Sequence, residues 1–391
     1  MDHAKLMIGV KKYTMIIVLI LVILFFSMST GGDILLPQNI SNLIAQNAYV
    51  FVLATGMLLC ILTGGNIDLS VGSVVCFVGS VGAVLMEKEK IGVIPAILVM
   101  LLVGLLIGAW QGFWIAFVRV PPFIVTLAGM LVFRGLSNVV LDGLTVPLTK
   151  PEFIDAFGGG ANCYIPDIFG IKGFNLTSML AGIIACGIYV AIVLYGRRSK
   201  IKKGYDVESF LSTIIKVALI CGVVLAFSYK ISQHRGIPTA FIWVIIVVMI
   251  YGYITQKTTV GRYFYAVGGN EKATKLSGIN TNRVYFIAYA NMGLLSALAG
   301  MLTIARLTSA QPTYGQNYEL DAIGACFIGG ASAYGGIGTV PGVIVGAVLM
   351  GVINMGMSLM NVDSNYQKVV KGLVLLAAVI FDVVTKKANK Q

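Results

Sequence analysis

Charged residues are scarce in this chain. Its 391 residues include 28 Lys plus Arg and 16 Asp plus Glu, so 11% are charged, whereas 58% are hydrophobic. A soluble domain has about 25% charged residues, and so few charges cannot cover a water-facing surface of this size. The composition excludes a soluble enzyme, a disordered chain and a disulfide-stabilised secreted module. The apolar runs are continuous rather than alternating, which argues against a membrane β-barrel and favours a polytopic helical membrane protein.

Several other features that define functional classes are missing. The two histidines, His3 and His234, lie outside the apolar runs, so an intramembrane enzyme with a buried histidine base or metal ligand is a poor interpretation. The six cysteines form no C-x-x-C pair, which indicates neither a zinc site nor a disulfide framework. No G-x-x-x-x-G-K-[ST] sequence occurs, so the chain carries no phosphate-binding loop of the kind that binds ATP.

Twelve apolar runs suggest membrane helices, each of which needs about 20 apolar residues. The first is predicted to be an uncleaved helix rather than a signal peptide, because many spans follow it. The runs cover residues 14–29, 41–62, 69–86, 91–118, 123–141, 176–196, 210–229, 238–256, 284–306, 321–337, 341–360 and 366–385. We therefore expect an all-α transmembrane bundle of about 10–12 spans.

The distribution of basic residues predicts the orientation of these spans. Cytoplasmic loops carry an excess of Lys and Arg. Basic residues cluster at the N-terminus, in segment 197–203, in the 257–283 loop and at the C-terminus (Lys5, Lys11, Lys12; Arg197, Arg198, Lys200, Lys202, Lys203; Lys257, Arg262, Lys272, Lys275, Arg283; Lys386, Lys387, Lys390). The 142–175 loop is mainly acidic and is predicted to lie outside. Both termini are thus expected in the cytoplasm, and the net charge of +12 is interpreted as topology rather than as a nucleic-acid site.

Two short polar motifs interrupt the apolar pattern. One contains Asn66, Asp68 and Ser70 between two spans with almost no loop, and the other contains Glu319 and Asp321 before small residues. In the predicted topology Asp68 opens a helix that runs outward and Asp321 opens one that runs inward, which suggests inverted repeats. An aspartate at a helix start can cap the helix or line a transport path, and the two roles are compatible.

Two basic residues fall within apolar runs. Arg134 lies in the middle of a span, and Lys371 enters the last helix. A charge at membrane depth faces the bundle interior and finds a partner, for which Asp68, Glu319 and Asp321 are available. The predicted path residues are therefore Asn66, Asp68, Ser70, Arg134, Glu319, Asp321 and Lys371.

The 257–283 loop is predicted to contain a short helix over about 271–277. Asn270 suits the N-cap, Glu271 the first turn and Gly278 the C′ position. Ala273 and Leu276 are three residues apart and face the same way. Because two turns of helix are marginal alone, this helix needs a surface on which to pack, either its own membrane domain or a partner subunit.

Three motifs in order resemble one transporter family. They are the Gly-Gly-Asn-Ile-Asp-Leu-Ser-Val-Gly sequence at 64–72, the loop at 266–279, and Tyr-Glu-Leu-Asp-Ala-Ile-Gly-Ala at 318–325 with glycines at 329–330. The chain resembles the membrane permeases of bacterial monosaccharide ABC importers. The 197–256 insertion, with its extra spans and Arg-Gly-Ile-Pro at 235–238, resembles the xylose or multiple-monosaccharide branch. Asn66 and Gly324 depart from the usual motifs, and the identity of the sugar stays open.

This resemblance implies a single permease domain over 1–391 with about ten core helices in two inverted halves, a permease dimer, and a place in the bacterial inner membrane. It implies a sugar-binding protein outside and a cytoplasmic ATPase partner, which would bind the ATP and leave this chain without a cofactor. It places the ATPase on residues Gly269, Asn270, Glu271, Ala273, Leu276, Ser277 and Gly278. The expected cargo is xylose or several sugars such as arabinose, galactose and glucose. An ion-coupled secondary transporter, with Asp68, Asp321 and Arg134 as an ion relay, is the alternative.

Overall fold

The computed structural model describes residues 2–160, 162–170, 173–207 and 209–388, without the side chains of 2–14, 381 and 385–388. Some basic residues that contribute to the predicted orientation lie outside the described residues. They are Lys172 and Lys390 and the side chains of Lys5, Lys11, Lys12, Lys386 and Lys387. The described part is mainly helical and has only two strands of two residues each, as the all-α prediction expects. Its elements are α1 (Asp2–Ser29), α2 (Pro37–Leu62), α3 (Val71–Ala83), α4 (Val93–Ala116), α5 (Pro122–Leu141), β1 (Val146–Pro147), α6 (Pro151–Ala156), α7 (Leu176–Lys202), α8 (Phe210–Ser232), α9 (Thr239–Lys257), α10 (Thr259–Gly269), α11 (Glu271–Leu276), α12 (Thr281–Leu307), β2 (Ser309–Ala310), α13 (Tyr318–Ile328), α14 (Val340–Leu359) and α15 (Ser364–Ala388).

The helices form two compact units. The first comprises Met1–Ile34, Leu43–Cys163 and Ala240–Gln391, and the second comprises Leu35–Asn42 and Tyr164–Thr239. The insertion predicted over 197–256 is therefore divided, because its residues up to 239 belong to the second unit.

Within the described ranges, nine helices are long and apolar enough to cross a membrane. They are α2, α3 with the π-helical turn Val84–Lys88 that continues it, α4, α5, α7, α8, α9, α12 and α14. The predicted first span corresponds to a shorter apolar stretch, Met15–Ser29 within α1. The polytopic helical bundle is confirmed, and nine helices in the described part meet the length and hydropathy expected of a membrane span.

The span predicted over 321–337 is wrong as a continuous helix. α13 ends at Ile328 after 11 residues, and the backbone from Gly329 to Thr339 is irregular. At about 1.5 Å per residue, α13 is about half as long as the hydrocarbon core is thick. The apolar run is real, but its glycines at 329, 330, 335 and 336 interrupt the helix.

Close packing of α4 on α12 organises the first unit. A Cβ atom added at Gly104 would come 2.6 Å from the carbonyl oxygen of Gly293 and 2.6 Å from the Cβ of Ala297. Only residues without a larger side chain allow two helix backbones to approach so closely. Gly104 of α4 therefore acts in helix packing.

Candidate functional site

The N-terminal ends of α3 and α13 meet inside the first unit. Gly72 in the first turn of α3 lies against the backbone carbonyl of Gly315, just before α13, and a Cβ added at Gly72 would also come 2.6 Å from Oε2 of Glu319. Gly315 has a φ of +73°, which an L side chain would strain. The two polar motifs found in the sequence are thus brought together at two helix starts. We call this region, residues 66–72 and 311–321, the junction.

On the α3 side of the junction, three buried polar side chains form a chain of hydrogen bonds. The Nε2 of Gln111 donates to Oγ of Ser70 at 2.7 Å, and that hydroxyl donates to Oδ1 of Asp68 at 2.6 Å. The same Asp68 oxygen accepts from the backbone N–H of Ser70 at 2.8 Å. Exposure is 2% or less for all three residues. Asp68 therefore receives its hydrogen bonds from within the chain, as a polar group at membrane depth requires.

On the α13 side, Asp321 forms a buried ion pair with the last helix. The Nζ of Lys371 lies 3.0 Å from Oδ1 and 3.1 Å from Oδ2 of Asp321, and the hydroxyl of Tyr49 donates to Oδ2 at 2.7 Å. The rings of Tyr49 and Tyr318 stack with centroids 3.6 Å apart. Lys371 has the carboxylate partner that the sequence required. This cluster joins α2, α13 and α15.

Neither aspartate occupies the N-cap position of its helix. The N-cap residue of α3 is Ser70 and that of α13 is Asn317, and neither side chain makes a capping hydrogen bond. Asp321 instead lies in the first turn of α13 and binds Lys371. The carboxylates are held by side chains of other helices or by the Ser70 turn, so the capping interpretation fails for Asp321.

Arg134 binds backbone rather than a carboxylate. Its Nη1 donates to the carbonyl oxygens of Pro312 at 3.0 Å and Tyr314 at 2.6 Å. These carbonyls belong to the irregular segment before α13, which has no helix to satisfy them, and backbone carbonyls are accepted partners for charges at membrane depth. Arg134 therefore anchors that segment to α5. Asn66 lies at the other end of its motif and donates to the carbonyl of Thr63 at 3.3 Å.

The loop helix α11 has the predicted caps. The Oδ1 of Asn270 accepts from the backbone N–H of Ala273 at 3.0 Å, and Gly278 has a φ of +83°. Ser277 is the C-cap residue. The buried hydroxyl of Thr274 donates to the carbonyls of Ala266 and Asn270, both at 2.8 Å. α11 is therefore fixed to the end of α10, a helix that was not predicted although the buried Phe264 and Val267 give it an apolar face.

One acidic side chain connects α11 to the loop between α4 and α5. Oε1 of Glu271 lies 2.8 Å from Nη1 of Arg119, and the same carboxylate accepts from the hydroxyls of Thr281 and Tyr285 at 3.1 Å each. The guanidinium also hydrogen-bonds to Asn282 and lies 5.4 Å from the ring centroid of Tyr285. Partial burial raises the pKa of Glu271, but the hydrogen bonds from Arg119 and Tyr285 and the positive charge outweigh burial, so the net pKa is lowered from its ordinary value.

Arg119 adopts an unfavourable backbone conformation. Its φ is +65°, which for a residue with a Cβ costs roughly 1–2 kcal/mol. Such strain persists only where the surrounding contacts hold it, and the Glu271 carboxylate and the start of α12 provide those contacts. Arg119 thus ties the loop helix to two membrane-spanning helices, α4 and α5.

The opposite face of α11 has no apolar partner among the described residues. Leu276 is 89% exposed, and Ala273 is exposed beside it. An exposed leucine alone is ordinary, but this one lies on a capped helix that is anchored on its other face. The sequence analysis left two packing surfaces possible, the helix's own membrane domain or a partner subunit. Thr274 and Glu271 contact the chain's own membrane domain, whereas Leu276 points away from it.

Four contributors to these clusters were missed: Tyr49, Gln111, Arg119 and Tyr285. A signal for Gln111 exists, because a glutamine within an apolar run is costly and marks a partner. Arg119 stands between two spans, where basic residues are common, so its position alone carried no such signal. No group of three or more His, Cys, Asp or Glu side chains suited to a metal ion occurs in the described part of the chain.

Comparisons with known proteins give a consistent result. Residues 39–379 match the family described as "Branched-chain amino acid transport system / permease component". The xylose transport system permease protein XylH of Haemophilus influenzae is 38% identical over 381 residues, covering 97% of this chain and 98% of that protein. XylH of Escherichia coli is 36% identical over 98% of this chain and 94% of its own length. The ribose import permease protein RbsC of Escherichia coli is 34% identical over 88% of this chain and 85% of its own. No solved structure matches the chain.

Proposed function

This chain belongs to the family of branched-chain amino acid transport system permease components, and from that premise we propose that it is the membrane subunit of a bacterial importer for a monosaccharide, xylose foremost, driven by ATP hydrolysis in a partner subunit. Similarity to two XylH permeases over more than nine tenths of each chain supports xylose. The resemblance of the 197–256 insertion to the xylose or multiple-monosaccharide branch favours the same assignment. The ion-coupled alternative receives no support from these relatives.

The proposal of an ATP-hydrolysing partner rests on the outward face of α11. Its apolar residue Leu276 is exposed, while Glu271 and Thr274 fix the helix to the membrane unit. A docked ATPase would cover Leu276 and move α11 as a rigid piece. Because Arg119 joins Glu271 to the α4–α5 loop, such a movement would reach both helices. We place both termini and this loop in the cytoplasm, two permease copies in the complex, and a sugar-binding protein on the other side of the inner membrane.

We propose that the junction borders the sugar path. Asn66, Asp68, Ser70, Arg134, Glu319, Asp321 and Lys371 are the candidate residues, with Glu319 the best placed to contact sugar. Its carboxylate lies beside Gly72 at the meeting point of the helix starts and its side chain is only partly buried. Asp68, Asp321 and Arg134 already have internal partners, so their role is to hold the helix starts in position.

Thiol labelling tests the path assignment. In a cysteine-free background, Glu319→Cys should react with a membrane-impermeant thiol reagent, and the transported sugar with its binding protein should slow the reaction. Ala322→Cys, one turn along α13 and fully buried, is the matched control and should stay unreactive. Failure of Glu319→Cys to react in any nucleotide state would remove this residue from the path.

Transport in proteoliposomes tests the energy source. Vesicles containing the permease, its ATPase and its binding protein should accumulate xylose only with ATP on the ATPase side, and an ionophore should not prevent accumulation. A ligand that binds both conformations equally shifts nothing, so a source of differential free energy is required. Accumulation driven by a proton or sodium gradient without ATP would reverse the proposal and restore the ion-coupled alternative.

A further inference from the structure

A basic cavity lies at one end of the α7–α8 hairpin in the second unit, outside the sites described above. The cavity has a volume of about 410 Å³ and lies where the last turns of α7 face the first turns of α8. The two helices pack directly, with Gly182 of α7 against Ser228 of α8. The cavity is therefore part of a formed hairpin.

The length of α7 places this cavity at headgroup depth. The apolar part of α7, residues 176–195, contains 20 residues and extends about 30 Å at 1.5 Å per residue, which is the thickness of the hydrocarbon core. The helix then continues to Lys202 and therefore leaves the hydrocarbon near Gly196. Arg197 and Lys200, which line the cavity, lie just beyond that point.

The cavity walls combine positive charge with apolar surface. Among the described residues, the cavity is lined by Arg197, Lys200 and Lys216 together with the carboxylate of Asp206, so these four side chains carry a net positive charge. Lys216 lies within the apolar run of α8, from which a long side chain reaches the interface. The guanidinium of Arg197 is oriented by Thr213, to whose Oγ1 it donates at 3.1 Å.

The wall toward the membrane interior is apolar. It is formed by Ile192, Val193 and Val217, which lie on the hydrocarbon side of the basic residues along the two helices. A free anion would use the charged end alone, whereas a molecule with a phosphate and acyl chains matches both parts. Basic pockets between membrane helices are suited to anionic phospholipid headgroups.

We propose that this cavity binds an anionic phospholipid, with the phosphodiester at Arg197, Lys200 and Lys216 and an acyl chain along Ile192, Val193 and Val217. The planar guanidinium donates two parallel hydrogen bonds to a phosphate, and each lysine contributes a point charge. Asp206 repels the phosphate and sets a lower limit on its distance from that wall. This site is independent of the transported sugar and of the partner ATPase.

The same turn supplies a matched control. Arg198, Lys202 and Lys203 belong to the same basic segment but do not line the cavity. Variant R197Q/K200Q/K216Q and variant R198Q/K202Q/K203Q each remove three positive charges. If the cavity forms a defined site, only the first variant should lose lipid binding. If a basic loop is merely attracted to an anionic surface, the two variants should lose binding equally.

The test is phosphatidylglycerol binding to the purified full-length protein in detergent, measured by native mass spectrometry and by the shift in unfolding temperature. At about 1 kcal/mol for each basic residue near an anionic surface, loss of the three lining charges weakens binding about 100-fold. The R198Q/K202Q/K203Q variant should retain binding within about a factor of three of the unaltered protein. Phosphatidylcholine and inorganic phosphate should neither be retained nor raise the unfolding temperature.

Two results would overturn the proposal. Equal weakening in the two triple variants would mean that the basic segment attracts lipid without a defined site. Stabilisation by inorganic phosphate equal to that by phosphatidylglycerol would make the cavity a free-anion site. If R197Q/K200Q/K216Q does not fold, the single K200Q variant, whose side chain is exposed, replaces it, with an expected loss of about fivefold.

Discussion

The junction and the α11 region differ in the burial of their most important side chains. At the junction Asp321 and Lys371 are both largely buried, and each is the other's partner within the chain. On α11 the helix is anchored from one side, while Leu276 points outward at 89% exposure. The charged pair of the first region has its partners within this polypeptide, whereas the role proposed for the second region requires another protein. Substitutions at the junction should therefore reduce the stability of the permease, and substitutions on α11 should reduce assembly and coupling.

The largest expected effect is on stability, from Lys371→Ala. This change leaves the Asp321 carboxylate buried without its cation, which costs about 3–5 kcal/mol. The unfolding temperature of the purified protein in detergent should fall sharply. The double variant Lys371→Met with Asp321→Leu should recover most of the loss, because a well-packed apolar pair can replace a buried ion pair. An unchanged unfolding temperature in Lys371→Ala would refute the role of this pair.

Leu276→Asp should affect assembly and leave stability unchanged. A central apolar contact in an interface contributes about 2 kcal/mol or more, which is about 30-fold in affinity. ATPase co-purification and sugar uptake should be lost, while the unfolding temperature of the isolated permease stays within one degree or so of the unaltered protein, since surface substitutions change stability little.

Leu144→Asp is the matched control for that variant. Leu144 is also exposed, at 65%, but it belongs to the loop after α5. It should retain both ATPase binding and uptake. Loss of function in both variants would show that any exposed acidic substitution is damaging, and the contrast between the two regions would then disappear.

Gly278→Val should have a smaller effect on coupling. The position has a φ of +83°, which costs a residue with a Cβ about 1 kcal/mol or more. The helix end would shift, and affinity for the ATPase should fall about fivefold. Gly278→Asn is the comparison, because asparagine tolerates this conformation, and it should retain most of the affinity in the same binding assay.

The smallest expected effect is on the pH dependence of α11 anchoring. Since the pKa of Glu271 is lowered in the folded protein from its ordinary 4.5, its contribution is fully present above that value. The contribution is lost as the pH falls through the lowered folded-state pKa. Coupling should therefore be flat from pH 6 to 8, and Glu271→Gln should weaken it across that whole range. A titration of coupling near neutral pH in the unaltered protein would contradict the assignment.

The sequence predicted some parts of the molecule in more detail than others. The α11 caps at Asn270 and Gly278 were predictable because capping depends on local residues only. The pairing of Lys371 with a carboxylate was predictable as a requirement, but the choice of Asp321 depends on how α13 and α15 pack. The partners of Arg134 could not be predicted from the sequence. They are backbone carbonyls of an irregular segment, whereas the sequence pattern suggested a carboxylate. The prediction of a continuous span over 321–337 was wrong because hydropathy does not detect where glycines end a helix.

The most direct test of the central claim is site-specific cross-linking between α11 and the ATPase. In a cysteine-free permease, a photoreactive thiol reagent attached at Leu276→Cys or Ala273→Cys should cross-link to the ATPase in the assembled complex. Thr274→Cys, on the buried face of the same helix, should not cross-link. Cross-linking only at position 274, or none at 273 and 276 in a complex that hydrolyses ATP and transports sugar, would contradict the claim that the exposed face of α11 binds the partner.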